Sequence, residues 1–176
     1  MQDISLGANA GEKPKIAHIS DTRLQNTILC HPQEKNIHGK LFGGYLMRKA
    51  FELAHNTAYI YTKSNPFFLA LDDISFIKGV EIGSILSFYS EIIFVSSSPS
   101  VSMMIKVDAI VIKPETGARD KTNTFYFTFA CPGVSEIPQV IPSTYKEAMD
   151  YLEGKRKYER GKEHAMKMRS SLIRSY

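Results

Sequence analysis

Only two cysteines stand among the 176 residues, Cys30 and Cys131, far apart and without a Cys-x-x-Cys or Cys/His spacing. That scarcity excludes a disulfide framework and a closed zinc site, and leaves free buried thiols in a reducing compartment as the expectation. No apolar run reaches the roughly 18 to 20 residues of a membrane-crossing helix. A Gly-rich phosphate loop of the Walker kind, a Ser nucleophile elbow and a metal-ligating cluster are all missing. We therefore expect no metal, no bound cofactor and no membrane span. Charge of one sign is also scarce. Lys and Arg number 22 against 18 Asp and Glu, a formal charge of +4 held mostly by the last thirty residues. Such an excess argues against a nucleic-acid surface, while a phosphate-rich ligand stays compatible. The start, Met1-Gln2-Asp3-Ile4-Ser5-Leu6-Gly7, is neither a signal peptide nor an Arg-rich transit peptide, so no targeting segment is visible.

What is present suffices for one domain: 43% of the residues are hydrophobic, at a length where about two-thirds of the chain's surface is hidden on folding. Residues 1–22 mix Gly, Lys, Asn and Ala around Pro14 without a period and read as a leader or linker. Leu24 to Cys30 reads as a strand ended by His31-Pro32. From Tyr45 to about Thr62, Leu46, Ala50, Leu53, Ala54, Ala58 and Tyr61 recur three and four apart, which predicts a helix with one buried face. Four strand-like runs follow, Phe67 to Phe76, Ser84 to Val95, Val101 to Ile112 and Lys121 to Ala130, the last ones separated by hairpin turns. One strand, one long helix and four antiparallel strands predict an α+β layer, a sheet curled round a single helix over 23–142. A basic helical extension over 143–176 opens on a capping box, Thr144 and Glu147, and is expected to dock through Tyr145, Met149 and Leu152. Lys155, Arg156, Lys157, Arg160 and Lys162 read as its solvated face.

The loop before the first helix carries the chemistry. Gly43-Gly44 at a helix start lets a ligand approach the backbone, and the free N–H groups there carry about half a positive charge, suited to polarising a carbonyl. The alternative reading is a plain turn that permits tight packing. His38 in this loop is a candidate ligand contact, whereas His55 reads as a packed or exposed helix residue. Glu52 is either a catalytic acid or an exposed partner of Arg48, four residues earlier. Asp72 and Asp73 stand at a strand start and are candidates to line a cleft.

His31-Pro32, Asn36-Ile37-His38-Gly39, Phe42-Gly43-Gly44-Tyr45-Leu46-Met47-Arg48-Lys49-Ala50, Asp72-Asp73-Ile74-x-Phe76, Val80-Glu81-Ile82-Gly83-Ser84, Phe125-x-Phe127-Thr128-Phe129 and Tyr151-Leu152-x-Gly154 together resemble the hotdog-fold acyl-CoA thioesterases of the thioesterase 9 type, in their second hotdog half. The resemblance implies a hotdog fold with an antiparallel sheet wrapped round one central helix. It implies hydrolysis of acyl-CoA to free fatty acid and CoA, without cofactor, at a site shared by two hotdog units. Mitochondrial localisation follows from the same likeness, cytoplasmic otherwise. Another hotdog unit, in a homodimer or as an acid-bearing half, is the implied partner. Asn36 matches the loop asparagine that positions water and Gly44 the amide donor to the oxyanion. His38, Gly39, Phe42, Gly43 and Asp72 are the expected substrate contacts. The helix position that holds the acid in many relatives falls on Phe51, which leaves the base to Glu52 or to a partner. Two other readings remain: a non-catalytic acyl-CoA-binding or structural hotdog, motivated by Phe51, and an enoyl-CoA hydratase-like hotdog using His38.

Overall fold

Leu46, Ala50, Leu53, Ala54 and Ala58 are all buried in the computed structural model, and they form one stripe of helix α1 (Gly43–Thr62). The structure describes residues 16–72, 74–97 and 100–174. Helix α1 stops at Lys63, which takes the left-handed conformation at φ 54° and donates its N–H to Tyr59 O at 2.8 Å. Pro66 then bars any continuation.

Before α1 come β1 (Ile16–His18) and β2 (Leu24–Leu29). After it come β3 (Phe67–Leu71), β4 (Ser75–Phe76), β5 (Ile85–Ser96), β6 (Ser102–Lys113), β7 (Ala118–Ala130), β8 (Gln139–Ile141) and the terminal helix α2 (Tyr145–Arg174). The main sheet runs β2-β5-β6-β7-β3, antiparallel throughout, with β4 also paired to β7. Along β5 to β7 the side chains alternate between two faces. Leu86, Phe88, Ile92, Ile105, Val107, Phe125, Phe127 and Phe129 build one core with α1. Ile93, Phe94 and Met104 face the other way and pack with Tyr151 and Tyr158 of α2. Each fully buried Phe or Ile contributes about 1.5–3 kcal/mol. This is the hotdog arrangement that the element order predicts, with α2 laid across the outer face.

Three expectations need correction. Order reaches into the segment read as a leader. Strand β1 pairs in parallel with β8, Ile19 is fully buried, and Thr22 Oγ1 accepts the Ile92 N–H at 2.9 Å. Three residues are too few to show a period, so the sequence hides this strand; residues 1–15 lie outside the described residues. The run Phe67 to Phe76 is two strands, with a register shift between Phe68 and Ala70; Asp73 between them lies outside the described residues.

The third correction concerns α2. Its capping box forms: Glu147 takes the Thr144 N–H at 3.1 Å while Thr144 Oγ1 takes the Glu147 N–H at 3.2 Å. Tyr145, Met149 and Leu152, however, are exposed at 83, 45 and 51%. The docked stripe is Glu147, Asp150, Tyr151, Gly154, Lys157 and Tyr158 instead, so Lys157 is buried rather than solvated. A polar seat defeats apolar periodicity. Buried Lys106 on β6 donates to both carboxylate oxygens of Asp150, at 2.7 and 2.8 Å, and lies 3.5 Å from Asp108, which in turn binds Lys121 and Thr124. The Lys157 ammonium sits 4.6 Å from the centre of the Tyr126 ring.

Gly154 is where α2 touches the sheet most closely. A Cβ there would come within 2.9 Å of the Ile93 side chain and 3.2 Å of Phe94 Cβ, whereas one on Gly161 would meet nothing within 4 Å. Overpacking costs about 1–3 kcal/mol, more than the roughly 0.8–1.0 kcal/mol that alanine gains over glycine in a helix. Urea unfolding should therefore show Gly154→Ala destabilised and Gly161→Ala stabilised. Equal effects at the two positions would contradict this packing.

Candidate active site

The loop from Pro32 to Phe42 is tied to the sheet at both ends. Leu41 donates its N–H to Val80 O and Phe42 to Glu34 O, both at 2.8 Å. Between them Asn36 to Gly39 close a tight turn, in which Gly39 stands at φ +76° and donates to Asn36 O at 3.0 Å. Asn36 organises the turn with its side chain: Oδ1 accepts the N–H groups of His38 at 2.9 Å and Lys40 at 3.1 Å. Two N–H donors converging on one atom require it to be the oxygen. What remains to the half-buried Asn36 side chain is its Nδ2 donor pair.

Helix α1 then begins without a side-chain cap, because its N-cap is Phe42. Tyr45 and Leu46 donate to Phe42 O at 3.0 and 3.2 Å. The N–H groups of Gly43 and Gly44 precede the first intrahelical bond, so they have no carbonyl within the helix. Glycine is needed at both positions for space. A Cβ on Gly44 would collide with the Phe42 ring, and one on Gly43 would press Phe76 Cε1 at 3.3 Å. Two aromatic rings thus flank the positive end of the helix.

Asn36, Lys40, Gly43, Leu46, Phe76 and Lys78 line a cleft of about 240 Å³. Among the described residues, no carboxylate lines it. Every polar group that the site offers is a donor or a cation: Asn36 Nδ2, the glycine amides, and the ammonium groups of Lys40 and Lys78. Lys40 also pairs with Glu81 at 3.2 Å. Such a cleft holds an oxygen that gains negative charge, and it lacks a group to take a proton from water.

The other expected site residues are distributed around this cleft. His38 is exposed at the loop tip beside Gly39, and Phe42 is 57% exposed. Phe51, at the position of the acid in many relatives, packs edge-on to Phe68 at 5.3 Å and Phe127 at 5.8 Å, so it faces the β3–β7 side of the sheet. Glu52, rotated about 100° further round the helix, faces the opposite flank, where it lines a groove with Leu24, Gln25 and Asn26 of β2. There it pairs with Lys49 at 2.8 Å and Arg48 at 3.7 Å. The structure does not bring Glu52 to Asn36. His55 stacks loosely on Phe51 and Phe129. Asp72 donates its N–H to Tyr126 O at 2.9 Å and lines a different cleft, between β3 and α2. Phe76, Lys40 and Lys78 are site residues that the sequence did not disclose: they come from the other side of the fold, and their only sequence signal was an unremarkable Lys78-Gly79 turn.

Cys30 and Cys131 are both free and buried, and burial pushes the Cys30 thiol up to about 11. Neither is a nucleophile at neutral pH. Among the described residues, no group of three or more His, Cys, Asp or Glu side chains is placed to hold a metal, and no helix is long and apolar enough to cross a membrane.

No protein-family model matches the chain. Over 145 residues it is 39% identical to mouse acyl-coenzyme A thioesterase 10, mitochondrial, and over 140 residues it is 41% identical to human acyl-coenzyme A thioesterase 9, mitochondrial. These matches cover 82 and 80% of this chain but 32 and 31% of those proteins, so the chain spans about a third of the length of the curated relatives it matches. In three dimensions it is similar to an acyl-CoA hydrolase from Staphylococcus aureus solved with butyryl-CoA, CoA and CoA disulfide, with a TM-score of 0.81 at 22% identity over 90% of this chain and 97% of that one. It is also similar to a hexameric acyl-CoA thioesterase, with a TM-score of 0.77 at 24% identity over 86 and 97% of the two chains. By sequence and by fold together, the chain is a hotdog unit related to the acyl-CoA thioesterases 9 and 10.

Proposed function

We propose that this chain supplies the carbonyl-holding half of a composite acyl-CoA thioester hydrolase. The observation that carries the reading is the donor-only cleft at Asn36 and Gly43-Gly44, which can stabilise an oxyanion and has no base. In the reaction, a carboxylate from the facing hotdog unit removes a proton from water as the water adds to the thioester carbon. Asn36 Nδ2 positions that water, the helix-start amides hold the developing oxyanion, and the tetrahedral adduct collapses with loss of the CoA thiolate. Acyl-CoA hydrolysis by the related thioesterases and CoA in the similar hydrolase structure support this assignment of substrate.

The facing unit docks at β3. Both β2 and β3 are sheet edges, but β2 presents Gln25, Asn26 and Thr27, whereas β3 presents Phe67, Phe68 and Leu69 at 62, 41 and 51% exposure. An apolar, unpaired edge is covered by another strand. Phe51 lies on that same side, so this unit meets its partner with a phenylalanine where many relatives hold the acid. The mitochondrial names of the relatives support a mitochondrial location.

The test is thiol release by the purified chain across acyl-CoA lengths, alone and mixed with a hotdog unit that bears an acid at the helix position matching Phe51. Turnover with the acid-bearing unit is the expected result, and none under either condition would sink the reading. Glu52→Gln should leave that turnover unchanged, because Glu52 faces the β2 flank. A chain that binds acyl-CoA yet turns over with no partner would instead be the binding module that Phe51 also favours.

A further inference from the structure

We propose that the distal part of α2 is a clasp that reaches past the β3 edge and seats on a second copy of this chain; the proposal rests on the pairing through β3 described above. Helix α2 crosses the outer face of the sheet strand by strand. Gly154 lies on Ile93 and Phe94 of β5, Asp150 binds Lys106 of β6, Lys157 covers Tyr126 of β7, and Gly161 and Ala165 line a cleft with Leu69 and Ala70 of β3. Three strand spacings separate β5 from β3, about 14 Å at ~4.8 Å each. Gly154 to Ala165 spans about 16 Å at 1.5 Å per residue. The sheet therefore ends beneath Ala165, and the nine further residues to Arg174 continue for about 13 Å beyond it.

The stripe that seats the helix does not end there. Gly154, Lys157, Tyr158 and Gly161 are continued, three and four apart, by Ala165, Met168 and Leu172 in the sequence. Residues of this stripe up to Tyr158 are buried or half-buried against the sheet, whereas Ala165 is exposed and Met168 is 55% exposed. The cleft between β3 and α2 has a volume of about 320 Å³, and a Cβ on Gly161 would meet nothing within 4 Å. A helix face made for a sheet thus overhangs an apolar edge. The surface that completes it is the outer face of another sheet joined at that edge. A second copy supplies such a surface with its own Leu69 and Ala70, and by two-fold symmetry receives a clasp in return.

The test uses the full chain. Sedimentation of Met168→Glu should show dimer affinity weakened by at least about tenfold, with circular dichroism and the urea midpoint unchanged because Met168 is exposed. In a second experiment, a Met168→Cys protein is mixed with a Leu69→Cys protein and oxidised. A covalent heterodimer is expected, and the native cysteines do not interfere because both are buried. A dimer that resists Met168→Glu and gives no cross-link overturns the clasp while the β3 pairing stands. A wild-type chain that is monomeric at micromolar concentration overturns both. Binding to phosphatidylserine vesicles that is lost on deleting residues 163–176, with dimer affinity unaltered, would make the segment a membrane contact and overturn the clasp.

Discussion

Replacing Asn36 by Ala should lower kcat of the paired enzyme by about 10²- to 10³-fold, the usual cost of removing one preorganised donor from a developing oxyanion or its attacking water. The same change removes the acceptor of the His38 and Lys40 N–H groups, so a second variant separates chemistry from loop folding. Asn36→Asp keeps Oδ1 and therefore the turn, but it exchanges the Nδ2 donors for a second acceptor and adds a negative charge. Steady-state kinetics should show both variants equally impaired in kcat, with the Asn36→Asp thermal midpoint close to wild type. Recovery of activity in Asn36→Asp would mean that Asn36 serves only the turn. KM should change less than kcat in either case, because the donor acts chiefly in the transition state.

Lys106→Met should destabilise the fold by about 3–5 kcal/mol, since it strands the Asp108 and Asp150 carboxylates against α2 without their shared cation. For a domain of this size, that lowers the thermal midpoint by roughly 10 °C. The pH dependence identifies the cause. Burial alone would lower the Lys106 ammonium, but Asp108 and Asp150 outweigh it and hold it above its ordinary value. Asp108 is pushed up by burial and pulled further down by Lys106, Lys121 and Thr124, so it ends below its ordinary 3.8. A raised lysine stabilises at every pH below its ordinary value and loses that effect only in strong alkali. A depressed aspartate stabilises above about pH 4 and loses that effect as pH falls through its lowered value. The deficit of Lys106→Met should thus be full between about pH 5 and 9 and shrink near pH 3, where Asp108 takes up a proton. A deficit that is constant from pH 3 to 9 by calorimetry would show lost packing rather than lost charge.

Much of this architecture was legible along the chain, and the exceptions have physical causes. Helix α1 could be read because five apolar residues repeat on one face of it, and β5 to β7 because long β-branched and aromatic runs lie between turn formers. Strand β1 could not, since three residues carry no period. The docking of α2 was assigned to Tyr145, Met149 and Leu152 because they are apolar, whereas the true seat is a lysine held by aspartates and a glycine against Ile93. Ion pairs that join residues 44 positions apart leave no trace in local hydropathy.

The candidate site divides along the same line. Sequence alone determined the turn chemistry of Asn36 to Gly39 and the bare helix start at Gly43-Gly44, because backbone conformation and side-chain bulk are local properties. Only the tertiary structure decided that Phe76, Lys40 and Lys78 close the cleft, and that Glu52 faces β2 while Phe51 faces β3. A helix period places two neighbours 100° apart, but which of them meets the apolar edge depends on how the sheet wraps the helix.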